Sequence, residues 1–212
     1  MTSDGKRKLV KYMLFGGASL AVLYPIWVWF DAANLTLDSM VLFDVFPMFG
    51  LIAFSIMWLH IVGGAFREKL EKYFDFDKVV AVSSMLVLGS IILHPLIHFI
   101  ALIVNRGVSI FGYVTNGKEY LIWIAVIAWL IFVGYDILKK FKNRNFFSKH
   151  WQVIRFTSTL GFFLILVHSL GIGRDLQTGF LRSVWLFYGV SAAVATIYTY
   201  GVRTILNRKR SS

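Results

Sequence analysis

Six long apolar runs constrain the fold of this chain more than any other feature of its sequence. A helix that crosses a lipid bilayer needs roughly 20 mostly apolar residues, and each run is about that long. The connections between the runs are too short to hold an inserted soluble domain. The predicted spans are 9–30, 42–66, 79–104, 120–138, 151–172 and 181–205.

Composition agrees with a protein that folds within a membrane. Hydrophobic residues make up 58% of the 212 residues and charged residues only 16%, against about 25% charged in a typical soluble domain. The chain has no cysteine, which excludes disulfides, thiolate metal sites and iron–sulfur clusters. We therefore predict an all-α integral membrane protein in a lipid bilayer. Residues 1–212 are expected to form a single six-transmembrane-helix bundle, with no soluble flavin or nicotinamide domain.

The distribution of lysine and arginine predicts how this bundle is oriented. Seventeen of these cations lie in the N-terminal segment, the second and fourth connections and the C-terminal tail, whereas four lie in the other connections. Cytoplasmic loops carry such an excess of cations, so both termini are predicted to be cytoplasmic, in a plasma or inner membrane. The net charge of +11 is explained by this bias, and no nucleic-acid partner is predicted.

The N-terminal "KRKLVK" is similar to the start of a signal peptide. The apolar run that follows is longer than the 7–15 residues of a signal-peptide core, and no clear cleavage site follows it. We therefore predict a true first span.

Three histidines occur deep inside predicted spans, where polar side chains are costly and are functional candidates by default. His94 and His98 lie in "GSIILHPLIHFIAL" of the third span, and His168 lies in the fifth. With a rise of 1.5 Å per residue, they are about 22 to 28 Å into two parallel helices, in the outer half of the membrane. Two neutral imidazoles facing each other at one depth are what a bis-histidine haem requires. Helix–helix hydrogen bonds, a proton path and another metal site are the alternatives.

The other two histidines are expected to have ordinary roles. His60 lies toward the inner end of the second span, where a hydrogen bond to a neighbouring helix would satisfy its ring. His150 lies beside Lys149 at the start of the fifth span, where it is expected to be solvated.

Two stretches carry a family resemblance: "GAFREKLEKYFDFDKVVAVSSMLVLGSIILHPLIHF" and "HWQVIRFTSTLGFFLILVHSLGIGRDL". Together they resemble the ferric reductase-like transmembrane domain, which includes the membrane parts of ferric reductases and NADPH oxidases. It also includes the haem-bearing membrane subunit of the bacterial methionine sulfoxide reductase system. The resemblance implies haem b held between the third and fifth spans for electron transfer. His168 matches the outer ligand of the fifth span, and His94 matches that of the third, with His98 as its rival.

The chain also departs from the family pattern, in which each of these spans often has a second, inner histidine. Arg155 stands at the inner position of the fifth span, and none of residues 80–84 can bind iron. We therefore predict one haem, and we do not expect His60 and His150 to build an inner site. Arginines that could bind haem propionates, or be ordinary loop or interface charges, are Arg106, Arg155, Arg174 and Arg182. For Arg155, a lipid phosphate is a further candidate partner.

The sequence thus predicts a membrane cytochrome b subunit, the haem component of an oxidoreductase. Its electron donor would be a separate flavin reductase or a membrane quinol, and its acceptor would lie on the outer side. The alternative is a haem-free, degenerate family member that acts as a small transporter or as a membrane assembly partner.

Overall fold

The computed structural model describes residues 3–32, 42–106 and 117–206, and this part of the chain is helical, with short turns and no strand. A short 3₁₀ turn, Arg174–Leu176, separates the last two α-helices. The α-helices are α1 (Ser3–Ala32), α2 (Leu42–Ala65), α3 (Arg67–Leu70), α4 (Phe76–Arg106), α5 (Glu119–Lys139), α6 (Asn145–Ile172) and α7 (Gly179–Ile197).

Six helices are long and apolar enough to cross a membrane, which confirms the six predicted spans. They are α1, α2, α4, α5, α6 and α7, the last of which continues through a π-helical turn, Tyr198–Val202, to Leu206. The largest boundary differences are six residues: α1 begins at Ser3 rather than at residue 9, and α6 begins at Asn145 rather than at residue 151. Their first turns are polar, so hydropathy alone did not include them. Large apolar side chains are exposed along these helices, as a lipid-facing surface requires.

Helix α2 is the centre of the bundle and packs against α1, α4, α6 and α7. Helix α5 packs mainly against α6, whereas α4 and α6 make hardly any close backbone contact with each other. The two helices that carry the deep histidines are therefore each held by a different neighbour. Helix α4 is held by α2, and helix α6 is held by α5.

Stacked aromatic rings join α2, α6 and α7 in the core. The ring of Phe54 lies 4.4 Å from those of both Phe162 and Trp185, nearly parallel to each, and all three side chains are 1% exposed. Beside this stack, Trp58 lies flat on Tyr188 at 4.1 Å. Because lipid tails are as apolar as these side chains, close packing rather than removal from water stabilises the contact.

Replacing Phe54 by alanine should destabilise the bundle strongly. The change removes a ring stacked on both faces and leaves a cavity, for which a loss of about 3–5 kcal/mol in the free energy of unfolding is expected. Equilibrium unfolding in mixed detergent micelles would measure it. Phe187→Ala is the matched control, since Phe187 is 60% exposed, and a loss as large as that of Phe54→Ala would contradict the expectation.

Polar side chains also connect α7 to its neighbours. Trp58 Nε1 donates to Ser191 Oγ at 2.8 Å, and Tyr188 Oη donates to the carbonyl of Ala21 at 2.8 Å. Trp185 Nε1 donates to Ser169 Oγ of α6 at 3.0 Å. Each of these hydrogen bonds satisfies a polar group that lipid could not satisfy.

One end of the bundle is formed by α3, the α5–α6 connection and the end of the sixth span, and we call it the basic end. Arg67 pairs there with Glu71 at 2.8 Å and with Asp77, and Arg203 pairs with Glu68. The hydrogen bond that Arg67 Nε donates to the Glu71 carboxylate is the main cause that raises the pKa of Arg67. These pairs are exposed, so each contributes at most about 1 kcal/mol to stability. The Glu68–Arg203 ion pair connects α3 to the end of the sixth span.

Candidate functional site

His94 projects from α4 toward α2, near the end of the bundle opposite the basic end. Its Nδ1 atom lies 2.7 Å from the carbonyl oxygen of Phe46, in the first turns of α2. Gly50, one turn further along α2, makes room for the ring. A Cβ atom at position 50 would lie 3.0 Å from His94 Nδ1. The ring is therefore held against the backbone of α2.

His168 is held in the same way by a different helix. Its Nδ1 atom lies 2.9 Å from the carbonyl oxygen of Leu121, in the first turn of α5. Helices α5 and α6 come close here because residue 171 is a glycine. A Cβ atom at Gly171 would lie 2.4 Å from Leu121 Cδ1.

These two contacts determine which ring nitrogen of each histidine carries the proton. A carbonyl oxygen can only accept a hydrogen bond, so Nδ1 of both His94 and His168 must be the donor. In the neutral ring the lone pair is then on Nε2. An Nδ1–H donated to a backbone carbonyl is the usual arrangement of a histidine whose Nε2 binds a metal, because it fixes the tautomer and the ring orientation.

The rings of the three deep histidines influence one another electrostatically. His168 lies close enough to both His94 and His98 to interact with them electrostatically, and His94 also interacts with His98. Within the described ranges, no group of three or more His, Cys, Asp or Glu side chains could hold a metal ion. The described residues therefore provide no closed protein cage around a metal ion.

His98 differs from His94 in its surroundings. It lies one turn further along α4, with its ring 4.6 Å from that of Phe46. The ring of His94 is 5.3 Å from the same phenyl ring and also bonds the carbonyl of Phe46. The His94 ring is therefore oriented by a hydrogen bond to α2, and His98 lies one turn beyond it.

The other two histidines use their ring nitrogens differently. His60 Nε2 lies 2.7 Å from Ser83 Oγ, which itself donates to the carbonyl of Val79 at 2.7 Å. The serine proton is therefore engaged, so His60 Nε2 donates and its proton blocks that nitrogen as a ligand. His150 is exposed and bonds the carbonyl of Phe146, one turn earlier on its own helix, at 2.8 Å.

The arginine candidates lie in separate places. Arg174 is exposed in the 3₁₀ turn after α6 and pairs with Asp175 at 3.0 Å. Arg182 donates to the carbonyl of Leu176 at 2.9 Å. Arg155 is thirteen residues before His168 on α6, a rise of about 20 Å toward the basic end, so it is remote from the histidine cluster. Arg106 ends α4, and its side chain lies outside the described residues.

Sequence reasoning missed the groups that orient the two rings. The acceptors are backbone carbonyls of Phe46 and Leu121, and every residue has a carbonyl, so no side-chain pattern marks them. The sequence features that could have indicated these contacts were Gly50 and Gly171. Their role depends on which residues of neighbouring helices lie opposite them, and one sequence does not give that register.

Comparisons of the chain with known proteins found no match. No family model, no curated protein and no solved structure matches the chain.

Proposed function

We propose that the protein is a membrane cytochrome b that binds one haem b between α4 and α6, with His94 and His168 as axial ligands. The observation that supports this most is the pair of Nδ1–H donors, each bonded to a carbonyl of a neighbouring helix. It gives both rings the tautomer and the fixed orientation that a metal ligand needs. The donor set therefore fits haem, which takes two neutral imidazoles on opposite faces of its iron.

The chain's own residues would bind, orient and shield this group. Helices α2 and α5 hold the ligand rings, and buried apolar residues such as Leu121 and Ile91 keep water from the region between them. A dry environment of low polarity is one of the ways in which a protein sets the reduction potential of a haem. When bound, the haem would supply one-electron transfer.

The excess of lysine and arginine supports a cytoplasmic location for both termini and for the basic end, in a plasma or inner membrane. The histidine cluster would then lie nearer the outer surface. We propose a separate flavin reductase or a membrane quinol as electron donor and an electron acceptor on the outer side. Arg106 and Arg174 are proposed as partners of the haem propionates at that surface.

An oxidised-minus-reduced spectrum of the detergent-purified protein, with haem quantified per chain, tests the proposal. We expect sharp b-type bands and about one haem per chain, because His94 and His168 provide one pair of opposed ligands. Protein without haem, even when haem is supplied during expression, would contradict the proposal. That result would favour the haem-free transporter or assembly partner.

Variants of His60 and His150 serve as controls for the number of haems per chain. His60→Ala and His150→Ala should each keep about one haem per chain, because these rings bond Ser83 and Phe146 rather than facing the cluster. Two haems in the wild-type protein, with one lost in either variant, would contradict the single-site proposal and reveal an inner site.

A further inference from the structure

A groove of about 390 Å³ lies between α6 and the end of the sixth span, toward the basic end. On α6 it is lined by Phe156, Leu160 and Phe163, and on the sixth span by residues that include Ala193 and Ile197. The lining is almost entirely apolar. Phe156, Leu160 and Ile197 are also exposed on the side of the bundle, so the groove opens toward the lipid.

Arg155 lies directly before this groove on α6. It is the eleventh residue of the helix, about 15 Å from the start of α6 at the basic end. The side chain is exposed, and among the described residues it forms no ion pair. A guanidinium at this depth of a membrane helix is costly unless an anion or water compensates its charge.

Hydroxyl groups border the apolar groove beside Arg155. The ring of Tyr200 lines the groove, and its hydroxyl lies 3.4 Å from Thr159 Oγ1. Thr159 donates to the backbone carbonyl of Arg155 at 3.1 Å, so the Tyr200 hydroxyl is the donor to Thr159. The groove therefore has a polar border on the turn of α6 that begins at Arg155.

We propose that this is a binding site for one anionic phospholipid, with its phosphate on Arg155 and one acyl chain in the groove. The planar guanidinium matches a phosphate with two parallel hydrogen bonds. Side chains on a helix point toward its N-terminus, which for α6 is the basic end, where lipid headgroups lie. The site is independent of the haem proposal.

Native mass spectrometry of delipidated protein in detergent, titrated with phosphatidylglycerol or phosphatidylcholine of identical acyl chains, tests this site. We expect one phosphatidylglycerol to be retained and to bind at least about tenfold more tightly than phosphatidylcholine, because the choline cation repels Arg155 and cancels the charge of the phosphate. Arg155→Gln should remove this preference, and Arg155→Lys should restore part of it. Ala193→Trp should block the groove for both lipids.

Lys149→Gln is the matched control, because it removes a cation six residues earlier on the same helix, outside the groove. Equal binding of the two lipids by the wild type, or equal losses in Arg155→Gln and Lys149→Gln, would overturn the proposal. A phosphorus-free isoprenoid quinone retained in place of phospholipid would also overturn it. Because these readouts do not involve haem, a failure here leaves the cytochrome proposal untouched.

Discussion

His168→Ala and His94→Ala are each expected to abolish the b-type spectrum, whereas His98→Ala should retain it. Each of the first two changes removes an imidazole whose Nδ1–H is fixed by a backbone carbonyl and whose Nε2 is the candidate ligand. Without either histidine, a haem would have a ligand from only one of the two helices. The measurement is haem per chain together with the reduced-minus-oxidised spectrum of each purified variant.

The comparison of His94→Ala with His98→Ala decides between two ligands that are one turn apart on α4. If His98→Ala lost the haem and His94→Ala kept it, the assignment of the α4 ligand would be wrong. The proposal that the protein binds haem would be unaffected. If His168→Ala kept full haem, the proposed pairing of α4 with α6 would fail. His150→Ala is the matched control, since it removes an exposed ring at the other end of α6.

Gly50→Leu should weaken haem binding about 10–100-fold, although it changes no ligand. A Cβ atom at this position would lie 3.0 Å from Nδ1 and 3.1 Å from Cε1 of His94, so any side chain displaces the ring. The displaced ring loses its hydrogen bond to the carbonyl of Phe46, and its Nε2 no longer points in a fixed direction. A haem titration of the purified, haem-depleted protein would measure the affinity.

Gly64→Leu is the control for this change, because a Cβ atom there meets nothing within 4 Å and the residue lies on the same helix. It should leave haem affinity at the wild-type value. Gly50→Ala should fall between the two variants, since the end of the imidazole can move by a few tenths of an ångström. Wild-type haem affinity in Gly50→Leu would show that the contact with α2 does not position the ligand.

The six spans could be predicted from sequence because a bilayer imposes one length and one composition on every helix that crosses it. The same rule is weak where a span begins in polar residues, and α6 therefore starts earlier than hydropathy indicated. The sequence also predicted a shared depth for His94, His98 and His168. Helical rise gave their common depth, and resemblance suggested which two spans should face each other.

The contacts that distinguish the histidines from one another were beyond prediction. His60 and His94 both lie inside spans of similar hydropathy, yet one bonds a serine hydroxyl through Nε2 and the other a carbonyl through Nδ1. This difference depends on which residues of α2 lie opposite which residues of α4. The contact of Tyr200 with Thr159 has the same origin, because it connects the sixth span to α6.

The acceptors of the two ligand rings are main-chain atoms, and this affects how the site can change during evolution. Substituting the side chain of Phe46 or Leu121 leaves the carbonyl oxygen in place, so ordinary point mutations there do not remove the hydrogen bond to the histidine. Only a change that moves the backbone, such as a proline that bends the helix, would do so. Genetic drift can therefore alter the residues at both positions while the orientation of His94 and His168 is inherited unchanged.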